Sequence, residues 1–568
     1  RLIPKSGEFS SENQRPITCL NNMYKWFTSC LQVPMDNHLI ENELMENEQR
    51  GAKAGCSGTS DNLMVDRMVT MDCHRGHRNL SMAWIDVKKA YDTVDHKWLV
   101  KIMEVHRFPY WLCRVISQLL KSWNTKIIVN TKRGTEISRT IRFTRGLPQG
   151  DALCPRLFTL CLNPVAWFLN ATEGYKLSKP IGTKITHLLY IDDLKVFASS
   201  QTKLNTVLRS ASAAMGDIGL LWNPKKCNII HVKRGAQVYD AAGLKLDQAT
   251  VVQSIKEGSS YRFLGVCETV KQDEKSALEC AAKVYFQRLS VIWSSPLSDA
   301  NRITATNQFA LPVLNYLMWT QHWPITDLRA IDREARKIIH ENGGKHPLSS
   351  TAVMFLPRYK GGRGLRSVEY EYKLTKIKAA VKLYQNADPT MGTVRVFEER
   401  AAEKGYSSLL TEAHKFAEEL GINLSLKYPN PSFTSTRRPD VEFEGTKIKE
   451  HLKHELVYKL QETIKAEKWH GRLLSLRWTD EELSQEMCFA WMKDWTSAPT
   501  HTVTGMIELY EQLLPTKVYT SLKTRTTQGD VNCRLCGKEA ETLPHVLSGC
   551  STLAQSKYLD RHNAALKI

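Results

Sequence analysis

Three aspartates lie at the ends of short apolar segments, where strands would place them at one edge of a sheet. Asp86 ends the apolar run 81–86, and Asp192 and Asp193 lie between the apolar runs 187–190 and 195–198. Apolar runs of this length predict a strand that ends in an acid and a hairpin with an acidic turn. Adjacent carboxylates repel each other unless a cation compensates, and a few carboxylates are enough to hold Mg²⁺. The pattern predicts a site for two-metal phosphoryl transfer, although an isolated Asp-Asp pair is more often an ordinary turn.

A second set of residues with metal-binding chemistry lies near the C-terminus. Cys533 and Cys536 form a Cys-x-x-Cys pair, which His545 and Cys550 follow at short spacing. Three thiolates and one imidazole are the ligands of a closed, tetrahedral Zn²⁺ site. The set therefore predicts one structural zinc ion.

Composition limits the class of protein. With 568 residues the chain is too long for a single core, and its 42% hydrophobic content argues against general disorder. Because 78 Lys+Arg residues outnumber 59 Asp+Glu residues, giving a net charge of +19, a polyanionic partner such as nucleic acid is favoured. A protein that is merely basic stays open at this point. The sequence has no uninterrupted apolar stretch of about 20 residues, so we expect no membrane partner.

The predicted elements change character along the chain. Residues 1–270 mix short strands with amphipathic segments, including a helix over 201–219 and a strand over 227–232, which indicates an α+β sheet domain. Residues 275–395 are predicted to be mainly helical. The stretch 396–530 is helix-rich around a polar, proline-containing segment, 427–445, which we interpret as a loop or linker.

A series of motifs then resembles those of reverse transcriptases, in the family's order. These are Arg15-Pro16-Ile17, Asp86-Val87-Lys88-Lys89-Ala90-Tyr91-Asp92, Arg145-Gly146-Leu147-Pro148-Gln149-Gly150-Asp151, Tyr190-Ile191-Asp192-Asp193, Asn223-Pro224-Lys225-Lys226 and Tyr261-Arg262-Phe263-Leu264-Gly265. The resemblance covers at least residues 1–270. It implies an RNA-directed DNA polymerase with an α+β right-hand fold of fingers, palm and thumb, followed by a helical linker and a small zinc knuckle. The implied boundaries are 1–270 for fingers and palm, 271–395 for the thumb, 396–530 for the linker and 531–568 for the knuckle.

The resemblance also implies roles for individual residues in catalysis. Asp86 and Asp192 would bridge two Mg²⁺ ions, with Asp193 close by and less directly engaged. Tyr91 matches the aromatic steric gate that would crowd the 2′-OH of a ribonucleotide, the group that distinguishes RNA from DNA precursors. A plain core tyrosine is the alternative for that position.

Further matched positions would contact the incoming nucleotide. Gln149 and Gly150 lie in the loop that packs under nucleotide and template, where glycine allows close backbone approach. Lys226, with its neighbour Lys225 as a competitor, would lie near the leaving pyrophosphate. Arg15 would touch the triphosphate.

The helical half carries the expected contacts with the product duplex. Tyr261 belongs to a segment that resembles the primer-grip hairpin, and the segments 346–350 and 361–365 resemble a thumb feature of non-LTR retrotransposon polymerases. Four basic residues around the second segment are expected to make sequence-independent phosphate contacts, with a solvated basic loop as the alternative: Arg358, Lys360, Arg363 and Arg366.

The cysteine cluster narrows the lineage that the resemblance implies. Together with residues 560–563 it resembles the zinc knuckle of non-LTR retrotransposons with a restriction-like endonuclease, which include site-specific elements of ribosomal RNA genes. The expected activity is target-primed reverse transcription, with an RNA template, a DNA primer or target and deoxynucleoside triphosphates as partners. The expected place of action is the nucleus, after synthesis and RNA assembly in the cytoplasm. In that family an endonuclease follows the knuckle and DNA-binding modules precede the polymerase, and we expect both to lie outside this sequence. The motifs leave the number of subunits open.

Two alternatives remain at this point. A reverse transcriptase of another lineage, such as a group II intron maturase or a diversity-generating element, fits the aspartates but not the cysteine cluster. A domesticated, catalytically silent nucleic-acid-binding protein fits the charge, although the presence of all three aspartates speaks against it.

Overall fold

A computed structural model describes residues 2–4, 14–53, 55–131, 134–179, 181–246, 251–524 and 529–567. The chain forms two compact units. The first takes Arg1–Asp273 and Gln385–Ser408, and the second takes Glu274–Tyr384 and Leu409–Ile568. Among the described residues, the structure has no helix that is long and apolar enough to cross a membrane.

The strands of the first unit are short, and most of them pair in antiparallel fashion. They are β1 (Leu2–Pro4), β2 (Gln14–Pro16), β3 (Leu80–Ile85), β4 (Asn124–Thr125), β5 (Ile128–Thr131), β6 (Gly134–Ile137), β7 (Ile141–Arg142), β8 (Tyr175–Lys176), β9 (Lys184–Ile185), β10 (His187–Tyr190), β11 (Asp193–Ala198), β12 (Asn228–Lys233), β13 (Ala236–Val238), β14 (Leu244–Lys245), β15 (Val251–Ser254), β16 (Tyr261–Phe263) and β17 (Val266–Glu268).

One mixed sheet is central to the first unit. Its order is β10-β11-β3-β12-β15-β14, with β13 paired to β12. Every residue of β3 is buried, because the strand has a neighbour on each edge and packed side chains on both faces. The predicted strands over 81–86 and 227–232 and the predicted acidic hairpin are therefore confirmed.

Helices pack against both faces of this sheet. The helices before residue 274 are α1 (Asn22–Glu41), α2 (Thr59–Arg75), α3 (Ala90–Thr93), α4 (His96–Val105), α5 (Tyr110–Ser122), α6 (Cys154–Asn170) and α7 (Gln201–Asp217). The predicted helix over 201–219 is α7, whose Ser200 cap accepts a hydrogen bond from the Lys203 N–H. Leu204 and Leu208 of α7 join a buried cluster with Ala83 and Val196 of the sheet. Burial of this apolar face fixes the sheet that carries the aspartates.

The rest of the chain is mainly helical, as predicted for 275–395. Its helices are α8 (Glu274–Ser294), α9 (Asp299–Ala305), α10 (Pro312–Asn315), α11 (Ile325–Glu341), α12 (Thr351–Phe355), α13 (Val368–Gln385), α14 (Pro389–Glu403), α15 (Leu409–Glu419), α16 (Ile448–Ala466), α17 (Arg472–Thr479), α18 (Gln485–Asp494), α19 (Thr500–Tyr510), α20 (Lys517–Thr524), α21 (Ser551–Leu553) and α22 (Leu559–Leu566). Of these, α14 belongs to the first unit.

The interpretation of 427–445 as a loop or linker was wrong. This stretch contains β19 (Ser432–Ser435) and β20 (Arg438–Glu444), which form an antiparallel sheet with β18 (Ile422–Ser425). Phe433 and Phe443 stack across the pair, with ring centroids 5.5 Å apart. Pro439 is tolerated because β20 is an edge strand.

Candidate active site

The three aspartates meet at one end of the central sheet. Leu194 of β11 pairs with Ile85 of β3, so the next residues in register, Asp193 and Asp86, lie side by side. Asp192 lies in the two-residue turn that Tyr190 and Asp193 close. The structure therefore brings together the three carboxylates that the sequence separates.

Electrostatics in this corner favours a cation. Desolvation, followed by repulsion from Asp192 and Asp86, raises the pKa of Asp193 to about 6. The Asp193 residue is partly exposed to solvent. A bound cation would offset the repulsion from the charges of Asp192 and Asp86, so this repulsion is the cause that bears on metal binding. Carboxylate oxygens are the ligands that Mg²⁺ prefers, and the set therefore fits divalent ions.

The segment before β12 holds Asp86 in place. The Asn223 side-chain amide donates a hydrogen bond to Asp86 Oδ2 at 3.1 Å, and the Asn223 N–H donates to the Asp86 carbonyl at 2.8 Å. Lys226 follows in the same turn, where its N–H donates to the Asn223 carbonyl at 2.9 Å. Its side chain is exposed, as is that of Lys225. The Arg15 side chain lies outside the described part of the structure.

Tyr91 lies near the acidic turn. Its ring stacks on Phe158 of α6 with centroids 4.9 Å apart. Burial, followed by the charge of Asp192, raises the pKa of Tyr91. The Tyr91 side chain is therefore a neutral phenol that packs against α6 in a fixed position beside the carboxylates. This arrangement is compatible with a steric gate.

The loop containing Gln149 and Gly150 is tied to the Tyr91 segment. The Leu147 N–H donates to the Tyr91 carbonyl at 2.8 Å, and the Gln149 side-chain amide donates to Asp92 Oδ1 at 3.4 Å. Gly150 has φ +131°, and a Cβ at this position would lie 2.6 Å from the carbonyl oxygen of Thr18. Only glycine fits this position without displacing its neighbour.

Tyr261 lies at the same corner of the sheet. It belongs to the β16–β17 hairpin, whose two-residue turn has positive φ at both Leu264 and Gly265, as a tight hairpin requires. The Tyr261 ring stacks on Trp84 of β3 with centroids 5.0 Å apart. Burial, followed by the charge of Asp86, raises the pKa of Tyr261.

The Cys/His set of the second unit converges on one point. The ligand atoms of Cys533, Cys536, His545 and Cys550 all lie within 4.8 Å of one another. The sulfur atoms of Cys533 and Cys550 are 3.9 Å apart, close to the roughly 3.8 Å edge of a tetrahedron with Zn–S bonds of 2.3 Å. His545 presents Nε2 to Cys536 Sγ at 3.3 Å while its Nδ1 faces Glu539 at 3.0 Å. A carboxylate behind a ligand histidine fixes its ring orientation, so the set fits zinc.

Comparison with known proteins shows which families this chain is similar to. The family model "Reverse transcriptase (RNA-dependent DNA polymerase)" matches residues 3–267. A Pol polyprotein from the type-1 retrotransposable element R2 of Nasonia vitripennis is 23% identical over 65% of this chain and 35% of its own length. A Pol polyprotein from the type-2 retrotransposable element R2DM of Drosophila melanogaster is 21% identical over 90% of this chain and 44% of its own length. Residues 3–267 are thus similar to reverse transcriptase domains, and both relatives are polyproteins of R2 retrotransposable elements.

The matches support the predicted reverse transcriptase domain over residues 3–267 and the α+β polymerase fold class. The chain spans less than half the length of these two relatives. Among solved structures it resembles apo telomerase from Candida tropicalis, with 13% identity and a TM-score of 0.35 over 70% of this chain and 60% of that chain.

Two of the basic residues expected at the thumb are engaged inside the protein. Arg363 is 4% exposed, and its guanidinium binds Asp299 and Thr504. Arg358 donates to Asp299 Oδ2 at 3.0 Å and to the carbonyl of Met492 at 2.8 Å. We therefore leave Arg358 and Arg363 out of the proposed phosphate contacts.

The other two basic residues, Lys360 and Arg366, differ in their exposure to solvent. Lys360 donates to Gln485 Oε1 at 2.8 Å and is half-buried. Arg366 has 52% of its side chain exposed and lies 3.9 Å from Glu371. It is therefore the best placed of the four to reach a phosphate.

Sequence reasoning missed the buried charges that support the candidate site. Lys195 of β11 is fully buried and makes ion pairs with Asp66 of α2 and Glu268 of β17. Glu268 also accepts a hydrogen bond from the Trp84 indole at 3.1 Å. The sequence does contain a sign of these charges. Lys195 stands between Leu194 and Val196 in an apolar strand, and a buried charge there requires a partner of opposite charge.

Proposed function

We propose that the chain extends a DNA 3′ end on an RNA template with deoxynucleoside triphosphates. The observation that carries the proposal is the meeting of Asp86, Asp192 and Asp193 at one end of the central sheet. When bound there, two Mg²⁺ ions would polarise the attacking and leaving oxygens of phosphoryl transfer. Asp86 and Asp192 would hold the ions, and Asp193 would support them.

The neighbouring residues select and orient the substrate in this proposal. The Tyr91 ring, fixed against Phe158, would exclude a ribonucleotide by contact with its 2′-OH. Gln149 and Gly150 would line the floor under the incoming nucleotide. Lys226, with an exposed amine, would offset charge on the leaving pyrophosphate, and Tyr261 would contact the primer end.

The finer biological role rests on the relatives. We propose that the primer is a nicked chromosomal target and the template is RNA of the element itself, with the nucleus as the place of action. Arg15, Lys360 and Arg366 would add contacts to phosphates, and Cys533, Cys536, His545 and Cys550 would hold one structural Zn²⁺ ion. The predicted boundaries at 270, 395 and 530 remain part of this proposal.

The test is primer extension on a defined RNA template with Mg²⁺. We expect the wild-type chain to incorporate deoxynucleotides and Asp192→Ala to lose activity by at least about 10³-fold, since one metal ligand is gone. Asp217→Ala, at the exposed end of α7, is the matched control and should extend normally. Equal extension by wild type and Asp192→Ala would rule out the site, whereas RNA binding by an inactive wild-type chain would favour the domesticated binding protein.

A further inference from the structure

The turn that carries Asp192 has an unfavourable backbone conformation. Ile191, its first residue, has φ +58°. A β-branched residue rarely adopts positive φ, because its Cβ is then too close to the backbone. Such strain persists only where surrounding groups hold the backbone in place. The groups that do so here lie far away in the sequence.

Gln49 binds both backbone polar groups of Ile191. Its Oε1 accepts the Ile191 N–H at 2.9 Å, and its Nε2 donates to the Ile191 carbonyl at 3.1 Å. The same Oε1 accepts the Gly51 N–H at 2.9 Å. Gln49 is 1% exposed, so water does not compete for these bonds. One side chain thus fixes the peptide groups on both sides of the strained residue.

Gln49 is itself held rigidly against the hairpin. The Leu189 N–H donates to the Glu48 carbonyl at 3.0 Å, and the Arg50 N–H donates to the Leu189 carbonyl at 3.1 Å. The segment therefore lies along the outer edge of β10 like a short additional strand. The buried Arg50 guanidinium is anchored at 3.1 Å to Asp388, which caps α14.

Gly51 closes the arrangement from the same side. A Cβ on Gly51 would lie 2.4 Å from the Ile191 nitrogen and 2.6 Å from its Cγ1. Contacts this short force the backbone to move. The turn and this segment therefore pack too closely to admit a side chain at position 51, and the hydrogen bonds of Gln49 hold them together.

We infer that Gln49 is a positioning residue for catalysis, which sets the backbone of Ile191 so that the Asp192 carboxylate faces Asp86. This inference rests on the proposed role of Asp192 as a metal ligand. Groups that orient metal ligands typically change metal affinity or activity by 10-fold to 100-fold when removed. The effect should fall on the rate of the chemical step and on metal use, and not on binding of primer and template.

The experiment replaces Gln49 by methionine, which keeps the length of the side chain and removes its hydrogen bonds. Gln237→Met is the matched control, because the Gln237 amide also donates to a backbone carbonyl, that of Ile255 at 2.9 Å, on β13 away from the acidic turn. Single-turnover and steady-state primer extension are both measured against nucleotide and Mg²⁺ concentration, with active sites counted. Mn²⁺ binding to the protein alone gives a second readout.

For Gln49→Met we expect kcat per active site to fall by about 10-fold to 100-fold. The half-saturating Mg²⁺ concentration and the Kd for Mn²⁺ should rise, while the KM for deoxynucleotide and the Kd for primer-template stay unchanged. Gln237→Met should behave as wild type. Wild-type kcat and metal dependence in Gln49→Met, or an equal loss in both variants, would overturn the inference.

If Gln49→Met does not fold, Gly51→Ala is the second variant that tests the inference. Its added methyl group displaces Ile191 from the same side, so we expect the same loss of kcat and metal affinity. A fully active Gly51→Ala would then overturn the inference. Failure of the two proposals is distinguishable. An active Asp192→Ala removes the proposed metal site altogether, whereas an inactive Asp192→Ala with a fully active Gln49→Met removes only the role of Gln49.

Discussion

At the scale of single residues, the carboxylates of the candidate site are held by different means. Asp192 sits in a turn whose backbone Gln49 fixes. Asp86 follows a buried strand, and its carboxylate is oriented by the Asn223 amide at 3.1 Å. Removing that amide frees the Asp86 side chain to rotate away from the metal position.

Asn223→Ala should therefore lower the rate of primer extension by about 10-fold, as expected for loss of a hydrogen bond that orients a metal ligand. The half-saturating Mg²⁺ concentration should rise with it. Asn124→Ala is the control, since the Asn124 side-chain amide donates to the nearby Ser122 carbonyl in an exposed position. A rate within about twofold of wild type for Asn223→Ala would contradict the assigned role.

Some of the site could be predicted because its residue types conflict with their surroundings. Acids that end apolar runs, as Asp86 and Asp192 do, point to a cation even without a structure. Gln49 gives no such signal. A glutamine among polar neighbours is ordinary, and its role follows only from the placement of its segment beside β10, which depends on packing between residues far apart in sequence.

At the scale of secondary-structure elements, one buried lysine joins three of them. Lys195 of β11 binds Asp66 of α2 and Glu268 of β17, and all three side chains are at most 1% exposed. The ion pairs thereby fasten the hairpin that presents Tyr261 to the sheet that carries the aspartates. A buried charge group of this kind is costly to break, because removing one member leaves the others unpaired.

Lys195→Met should lower the free energy of unfolding by about 3–5 kcal/mol, since Asp66 and Glu268 then face each other without a cation. Urea unfolding followed by tryptophan fluorescence measures this. Lys101→Met, which breaks the exposed pair with Glu104, should change the free energy by at most about 0.5 kcal/mol. Similar values for the two variants would show that the buried lysine is replaceable.

The arginines of the basic loop before α13 differ in burial and therefore in the role that each can have. Arg363 is buried against Asp299, whereas Arg366 is half exposed. The loop also has a structural reason for its glycines, because a Cβ on Gly361 would lie 2.5 Å from the Phe489 ring. A charge pattern read from sequence alone cannot separate such neighbours, since each arginine contributes the same charge.

Arg363→Met should lower the free energy of unfolding by about 3 kcal/mol and leave the salt dependence of primer-template binding unchanged. Arg366→Met should do the reverse, reducing the slope of log K against log salt by about 1 with little loss of stability. Chemical unfolding and binding titrations across salt concentrations test both variants. A changed slope for Arg363→Met would return that residue to the nucleic-acid contacts.

The predicted linker shows why element prediction failed locally. In 427–445 the strands are mostly polar, and β20 carries Pro439, which ordinarily argues against a strand. The sheet forms because Phe433 and Phe443 stack across it and His451 of α16 packs against both rings. That contact lies outside the segment, so local propensity could not reveal it. The amphipathic pattern over 201–219, by contrast, was sufficient to predict α7.

At the scale of the whole molecule, the two kinds of metal chemistry belong to separate units. The carboxylates lie in the first unit, and the Cys/His set lies in the second. The buried cluster beneath the aspartates takes its residues from Leu31 to Val252. Its packing therefore does not depend on the zinc ligands, and a defect in the Cys/His set should leave the polymerisation chemistry intact.

Cys536→Ser should abolish binding of one zinc ion per chain, because a structural site needs all four ligands. Hydrogen exchange should then rise in the segment that holds the Cys/His set, since metal binding provides much of the folding free energy of such small units. Extension of a pre-annealed primer should stay within about twofold of wild type, because Asp86, Asp192 and Asp193 are unaffected. The control is Cys280→Ser, which changes an exposed cysteine outside the set and should still bind one zinc ion per chain.

Metal analysis, hydrogen exchange and primer extension are measured on the same preparations of each variant. A loss of primer extension in Cys536→Ser would show that the two sites depend on each other.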